Sequence, residues 1–172
     1  RNVEKLGNTA GAYSRGEKLG VCTSKMIKIQ SCPKITEAQI KELTDAISRR
    51  DLAAVRDLID NQGIDVNATL YLASTSGKEK VTPLMHSIFR YNFYDIDPPN
   101  PEIVKFLLER GANPNVRNGD SSLIDSEKYS LYNLKSWEQQ ARREGKTIYQ
   151  GMTKPFSEWV SASERIVLLL EQ

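Results

Sequence analysis

The chain has 172 residues, 39% of them apolar, which suits one domain with a real core and excludes a disordered composition. Its 24 Lys and Arg against 22 Asp and Glu leave a net charge of +2, too small to point to a nucleic-acid partner. The longest apolar run, residues 166–170, is far too short to span a membrane.

Residues 1–34 hold seven Lys and Arg and two acids, and are expected to form a solvated basic extension. Only "SKMIKIQ" within them resembles a strand. Cys22 and Cys32 sit in this polar, Lys-rich setting. A Cys22–Cys32 disulfide would imply an oxidising compartment, periplasmic or secreted; two free thiols would imply a cytosol. Two cysteines and one distant histidine do not make a metal site.

The character changes at Thr36, a candidate N-cap with Gln39 as its capping-box partner. Ile40, Leu43, Ala46 and Ile47 then recur at helical spacing. After a break at "SRRD", a second helix carries Leu52, Val55, Leu58 and Ile59 and stops before Gly63. The same logic returns in "VTPLMHSIFR", with Pro83 in its first turn, and in "PEIVKFLLERGANPN", which opens with Pro and closes with Gly. It returns again in "GDSSLIDSE" and "ASERIVLLLEQ". Val55, Val104 and Val167 align, as do Leu58, Leu107 and Leu170, so three helix pairs are expected.

These residues resemble the ankyrin-repeat family. "TPLMHS" is similar to the signature T-P-L-H-x-A, and "EIVKFLLERGANPN" to the family's second helix and loop. Met85 stands where the family has its His, and His86 is shifted by one. The resemblance implies an all-α, ankyrin-like helix–turn–helix solenoid over residues 35–172, behind the extension at 1–34. Repeats are expected at about 36–67, 68–116 and 117–172. The spacing from Val55 to Val104 is 49 residues, and from Val104 to Val167 it is 63, against about 33 for the family. The excess falls in insertions at 69–80, 91–101 and 127–160. The last insertion has a helical stripe, Leu131, Leu134, Trp137 and Ala141, ended by Gly145.

Nine of the thirteen aromatic residues lie in the two insertions between helices, 91–101 and 127–160. Stacked repeats place equivalent positions side by side, so the insertions should be neighbours along one edge. Tyr91, Phe93, Tyr94, Asp95 and Asp97, with Tyr132 and Trp137, are the candidate protein-binding residues, because aromatic anchors dominate interfaces. The competing reading is a local core in which the insertions fold over each other. Asp95 and Asp97 lack the further ligands a metal loop needs. His86 is the only histidine, and no nucleophile elbow, phosphate loop or dinucleotide fingerprint occurs.

The resemblance therefore implies a non-enzymatic protein-binding module without a cofactor. Few repeats and custom insertions favour a dedicated binder, such as an inhibitor or a bacterial toxin-immunity protein that blocks an enzyme or toxin. The alternatives are a general adaptor or scaffold, a host-directed bacterial effector, and an enzyme that uses the long insertion as a lid.

Overall fold

The computed structural model describes residues 35–74, 77–89, 97–148 and 153–172. Cys22, Cys32 and the expected strand "SKMIKIQ" lie outside the described residues. The described chain is mostly helical, as an ankyrin-like all-α fold requires.

Helix α1 (Glu37–Ser48) opens on a complete capping box. The Gln39 backbone N–H donates to Thr36 Oγ1 at 3.2 Å, and the Thr36 N–H donates to Gln39 Oε1 at 3.0 Å. Two otherwise orphaned donors are thereby satisfied. Helix α2 (Leu52–Arg56) starts on Asp51, whose carboxylate accepts the Ala54 N–H at 3.0 Å. It continues as a wider turn over Asp57–Asn61, with the Gln62 N–H reaching back five residues to the Asp57 carbonyl. Gly63, at φ 73°, ends the helix in the left-handed conformation, and the Ile64 N–H closes on the Leu58 carbonyl.

The first insertion pairs with itself. Strands β1 (Leu70–Ser74) and β2 (Gly77–Val81) are antiparallel, with Leu70 opposite Val81 and Leu72 opposite Glu79. Alternation turns Leu70, Leu72 and Val81 into the core and leaves Tyr71 and Lys80 outside. The Lys80 ammonium lies 5.8 Å from the Tyr71 ring centroid. Helix α3 (Pro83–Ile88) follows, capped by the Thr82 hydroxyl and started by Pro83. Helix α4 (Pro101–Glu109) repeats the device with Asn100 and Pro101, and Gly111 takes φ 87° beyond its end.

The repeat is visible in the loops as well as in the helices. The Asn67 N–H bonds to Asp65 Oδ1, and the Asn115 N–H to Asn113 Oδ1, each at 2.9 Å. These are the same side-chain turn in successive units. Asn67 ties the units together, donating to the Gly111 carbonyl at 3.1 Å and accepting the Asn113 N–H at 2.8 Å. On the helices, Arg110 makes a two-pronged ion pair with Asp60, Nε to Oδ1 at 2.7 Å and Nη2 to Oδ2 at 2.8 Å. The buried Phe106 ring has Arg56 and Arg110 within 4.8 and 4.7 Å of its centroid. One continuous core, with Leu43, Val55, Leu84, Val104, Leu107 and Ile166 fully buried, runs through the stack.

The last unit differs from the expected short helix followed by helical pieces. Strands β3 (Arg117–Asn118) and β4 (Ser121–Ser122) form a tight hairpin, and α5 (Leu123–Arg143) then runs 21 residues without a break. No Gly or Pro interrupts it before Gly145. Helix α6 (Phe156–Leu170) packs antiparallel along it. Leu134 and Ala141 of α5 close on Phe156, Trp159 and Val160 of α6, a second core separate from the first. Trp137 stays outside that core at 47% exposure. At about 100° per residue it falls about 60° from Leu134, on the flank of the stripe, and Trp159, 3% exposed, takes the central place instead. Among the described residues, no helix is long and apolar enough to cross a membrane.

Candidate protein-binding edge

The edge begins where α1 ends. Arg50 adopts φ 58°, the one non-glycine described residue in the left-handed region, a conformation that costs a side-chain-bearing residue about 1 kcal/mol. The turn aims its guanidinium at the second insertion. Nε donates to the Pro98 carbonyl at 2.6 Å, and Nη2 donates to the Asp97 carbonyl. Nη1 reaches back to the Ser48 carbonyl at 3.1 Å. The exchange is reciprocal, because Asn100 Nδ2 donates to the Arg50 carbonyl at 3.5 Å while its Oδ1 caps α4 through the Glu102 N–H at 3.0 Å. The Asp97–Pro101 segment is thus clamped to the turn between α1 and α2.

The third insertion reaches the same place. Thr153 Oγ1 donates to Asp97 Oδ1 at 2.5 Å. On its other side, Arg165 of α6 pairs with Glu102 of α4. Between the proline segment and the exposed side of α6 lies a cleft of about 530 Å³. Its walls mix Arg50, Lys154 and Arg165 with Asp97 and Glu158, and Lys154 faces Glu158 at 3.9 Å. The alternation of sign suits a polar protein surface better than one small anion.

Of the candidate residues, Asp97 is held at this edge. Tyr91, Phe93, Tyr94 and Asp95 lie outside the described residues. Tyr132 and Trp137 are both on α5, at 71% and 47% exposure. Five residues of helix separate them by about 140° around the axis, so they do not share a face. Phe156 and Trp159 went into the insertion's own core. Arg50, Asn100, Thr153 and Lys154 were not singled out from sequence. For Asn100 a signal existed, since an Asn directly before Pro marks a helix start. For Arg50 and Thr153 the contacts are 47 and 56 residues away in sequence, and no local pattern marks them.

His86 is a strut. Its Nε2 lies 3.0 Å from Ser48 Oγ and 3.2 Å from the Thr44 carbonyl, both on α1. A carbonyl only accepts, so Nε2 carries the proton. In that tautomer it does not draw the proton from Ser48, and the pair joins α3 to α1 without activating the hydroxyl. This replaces the turn-directed bonds of the family's His, whose position Met85 fills as a buried apolar residue. Among the described residues, no group of three His, Cys, Asp or Glu side chains is placed to hold a metal ion.

The family model for the ankyrin repeat matches residues 79–119. That span covers most of β2, then α3, α4 and the loop up to β3. No curated protein and no solved structure matches the chain. Ankyrin repeats are, in general, non-catalytic modules for binding other proteins. The chain therefore carries one ankyrin repeat, over the residues that the family model matches, with helix pairs on either side of it.

Proposed function

We propose that this protein is a non-enzymatic binder dedicated to one protein partner, engaged along the edge where its two helix-linking insertions meet. The contact of Thr153 with Asp97, backed by the Arg50 clamp, carries this reading. It holds the end of one insertion against the other, in a position fixed by the first repeat. A preordered edge loses less entropy on binding. Tyr91, Phe93, Tyr94 and Asp95 directly precede Asp97 in sequence and would supply the anchors, with Asp95 and Asp97 favouring a basic partner. Trp137 would extend the surface along α5.

Insertions built for one shape fit an inhibitor, such as an immunity protein that covers a toxin or enzyme, better than a general adaptor, which gains surface from regular repeats. Capture from the native source on immobilised protein, followed by mass spectrometry, tests this. One enzyme recovered in stoichiometric amount supports the dedicated inhibitor. Several unrelated proteins at low occupancy would favour the adaptor.

A further inference from the structure

Two ion pairs join the last helices. Lys128 Nζ meets Glu171 Oε1, and Lys135 Nζ meets Glu164 Oε1, each at 2.8 Å. The pairs are seven residues apart on each helix, two turns, so they lie on one flank about 10 Å apart. Tyr132 on α5 and Leu168 on α6 sit on the same stripes, four residues after Lys128 and Glu164. They are 71% and 61% exposed.

Among the described residues, this flank faces away from the main core. Ile166 of α6 belongs to the main core and Arg165 reaches Glu102 of α4. Glu164 and Leu168 point the other way, about 160–200° around the helix from Ile166. Here an exposed Tyr and Leu stand between charged brackets, an apolar centre inside a polar rim.

We propose that this face takes a second copy of the same chain, across a two-fold axis parallel to α5 and α6. The charge pattern selects both the occupant and the axis. A rotation about that axis lays α5 of one copy over α6 of the other without changing height along the helices. Each Lys128 then faces the copy's Glu171, and each Lys135 the copy's Glu164. In both ion pairs the two residue numbers add to 299, so Leu168 stands level with Leu131. In the pair, each Leu168 therefore packs against Leu131 and Tyr132 of the copy. The other in-plane axis, across the helices, would lay Lys128 on Lys135 and Glu164 on Glu171. That arrangement is repulsive at every charged position. The contact is isologous, as two-fold pairs are. A face of two helix flanks is small, so the dimer is weak and concentration-dependent.

Sedimentation equilibrium on the full chain, from about 1 µM to 1 mM, tests the proposal. The expected result is a monomer–dimer equilibrium that Leu168→Glu weakens at least about 10-fold. Two charge-reversed chains test the axis. The acidic chain carries Lys128→Glu with Lys135→Glu, and the basic chain carries Glu164→Lys with Glu171→Lys. Each alone should be monomeric, and an equimolar mixture should form a heterodimer, because an acidic row then faces a basic one. Leu168 is exposed, so its variant remains informative if a charge-reversed chain fails to fold. A wild-type chain that stays monomeric throughout would overturn the proposal. So would a dimer indifferent to Leu168→Glu, or folded charge-reversed chains that associate no better mixed than apart.

Discussion

The hydroxyl of Thr153 donates to the carboxylate of Asp97 at 2.5 Å, across 56 residues of sequence and between two different insertions. If this bond joins the insertions, Asp97→Asn and Thr153→Val should not be additive. A double-mutant cycle on urea melts should give a coupling of about 0.5–1.5 kcal/mol, the scale of one hydrogen bond. Additive losses would separate the insertions.

Arg50 combines an unfavourable backbone with a favourable side chain. Arg50→Ala loses the clamp and keeps the left-handed turn, so it should cost about 2 kcal/mol. Arg50→Gly loses the same bonds and relieves the turn, so it should cost about 1 kcal/mol less than the Ala variant. Thermal melts should therefore rank wild type above Gly above Ala. A Gly variant less stable than Ala would mean that the turn carries no strain.

Leu107 is 0% exposed within the matched repeat. Leu107→Ala should cost about 2–5 kcal/mol in a urea titration, through lost transfer energy and a cavity between stacked units. A loss under ~0.5 kcal/mol, typical of surface positions, would contradict stacking of the units across α4.

The Asp60–Arg110 pair gives a pH dependence with a definite sign. The hydrogen bond from Arg110 holds the Asp60 carboxyl below its usual range, and the same bond raises the Arg110 guanidinium. A carboxyl whose folded pKa is depressed stabilises above its unfolded value and loses that stabilisation as pH falls through the folded one. Stability from this pair is therefore full at neutrality and declines only in the acid range below the usual Asp value. The pair is partly exposed, so the effect is small and shrinks with added salt. Asp60→Asn should flatten the acid limb of a stability–pH curve and leave its neutral plateau nearly level. An unchanged acid limb would show that the pair does not couple to folding.

The contrast between Thr36 and Arg50 shows what local sequence carries. The capping box at Thr36, the Thr82–Pro83 start and the left-handed glycines at 63, 111 and 145 follow from neighbours within a few residues, and all are present. The apolar faces of α1, α2 and α4 follow from period alone. Arg50 follows from nothing local, because its partners are set by how the units stack. The choice between Trp137 and Trp159 for the second core was likewise hidden. Both sit near an apolar stripe, and only the packing of α6 on α5 decides which ring is covered. The extended hairpin at 70–81 was not legible locally: β2 carries no apolar residue before Val81, and its pairing depends on the core beneath Leu70 and Val81.

The central claim is that the insertion edge is the binding surface. The most direct measurement is calorimetric titration of the captured partner against wild type, Phe93→Ala and Tyr94→Ala, with a thermal melt of each. The expected result is a loss of at least ~2 kcal/mol in binding for one or both variants, the scale of an interface anchor, with melting temperatures unmoved. Unchanged affinity in both variants would contradict the claim and move the surface elsewhere on the stack.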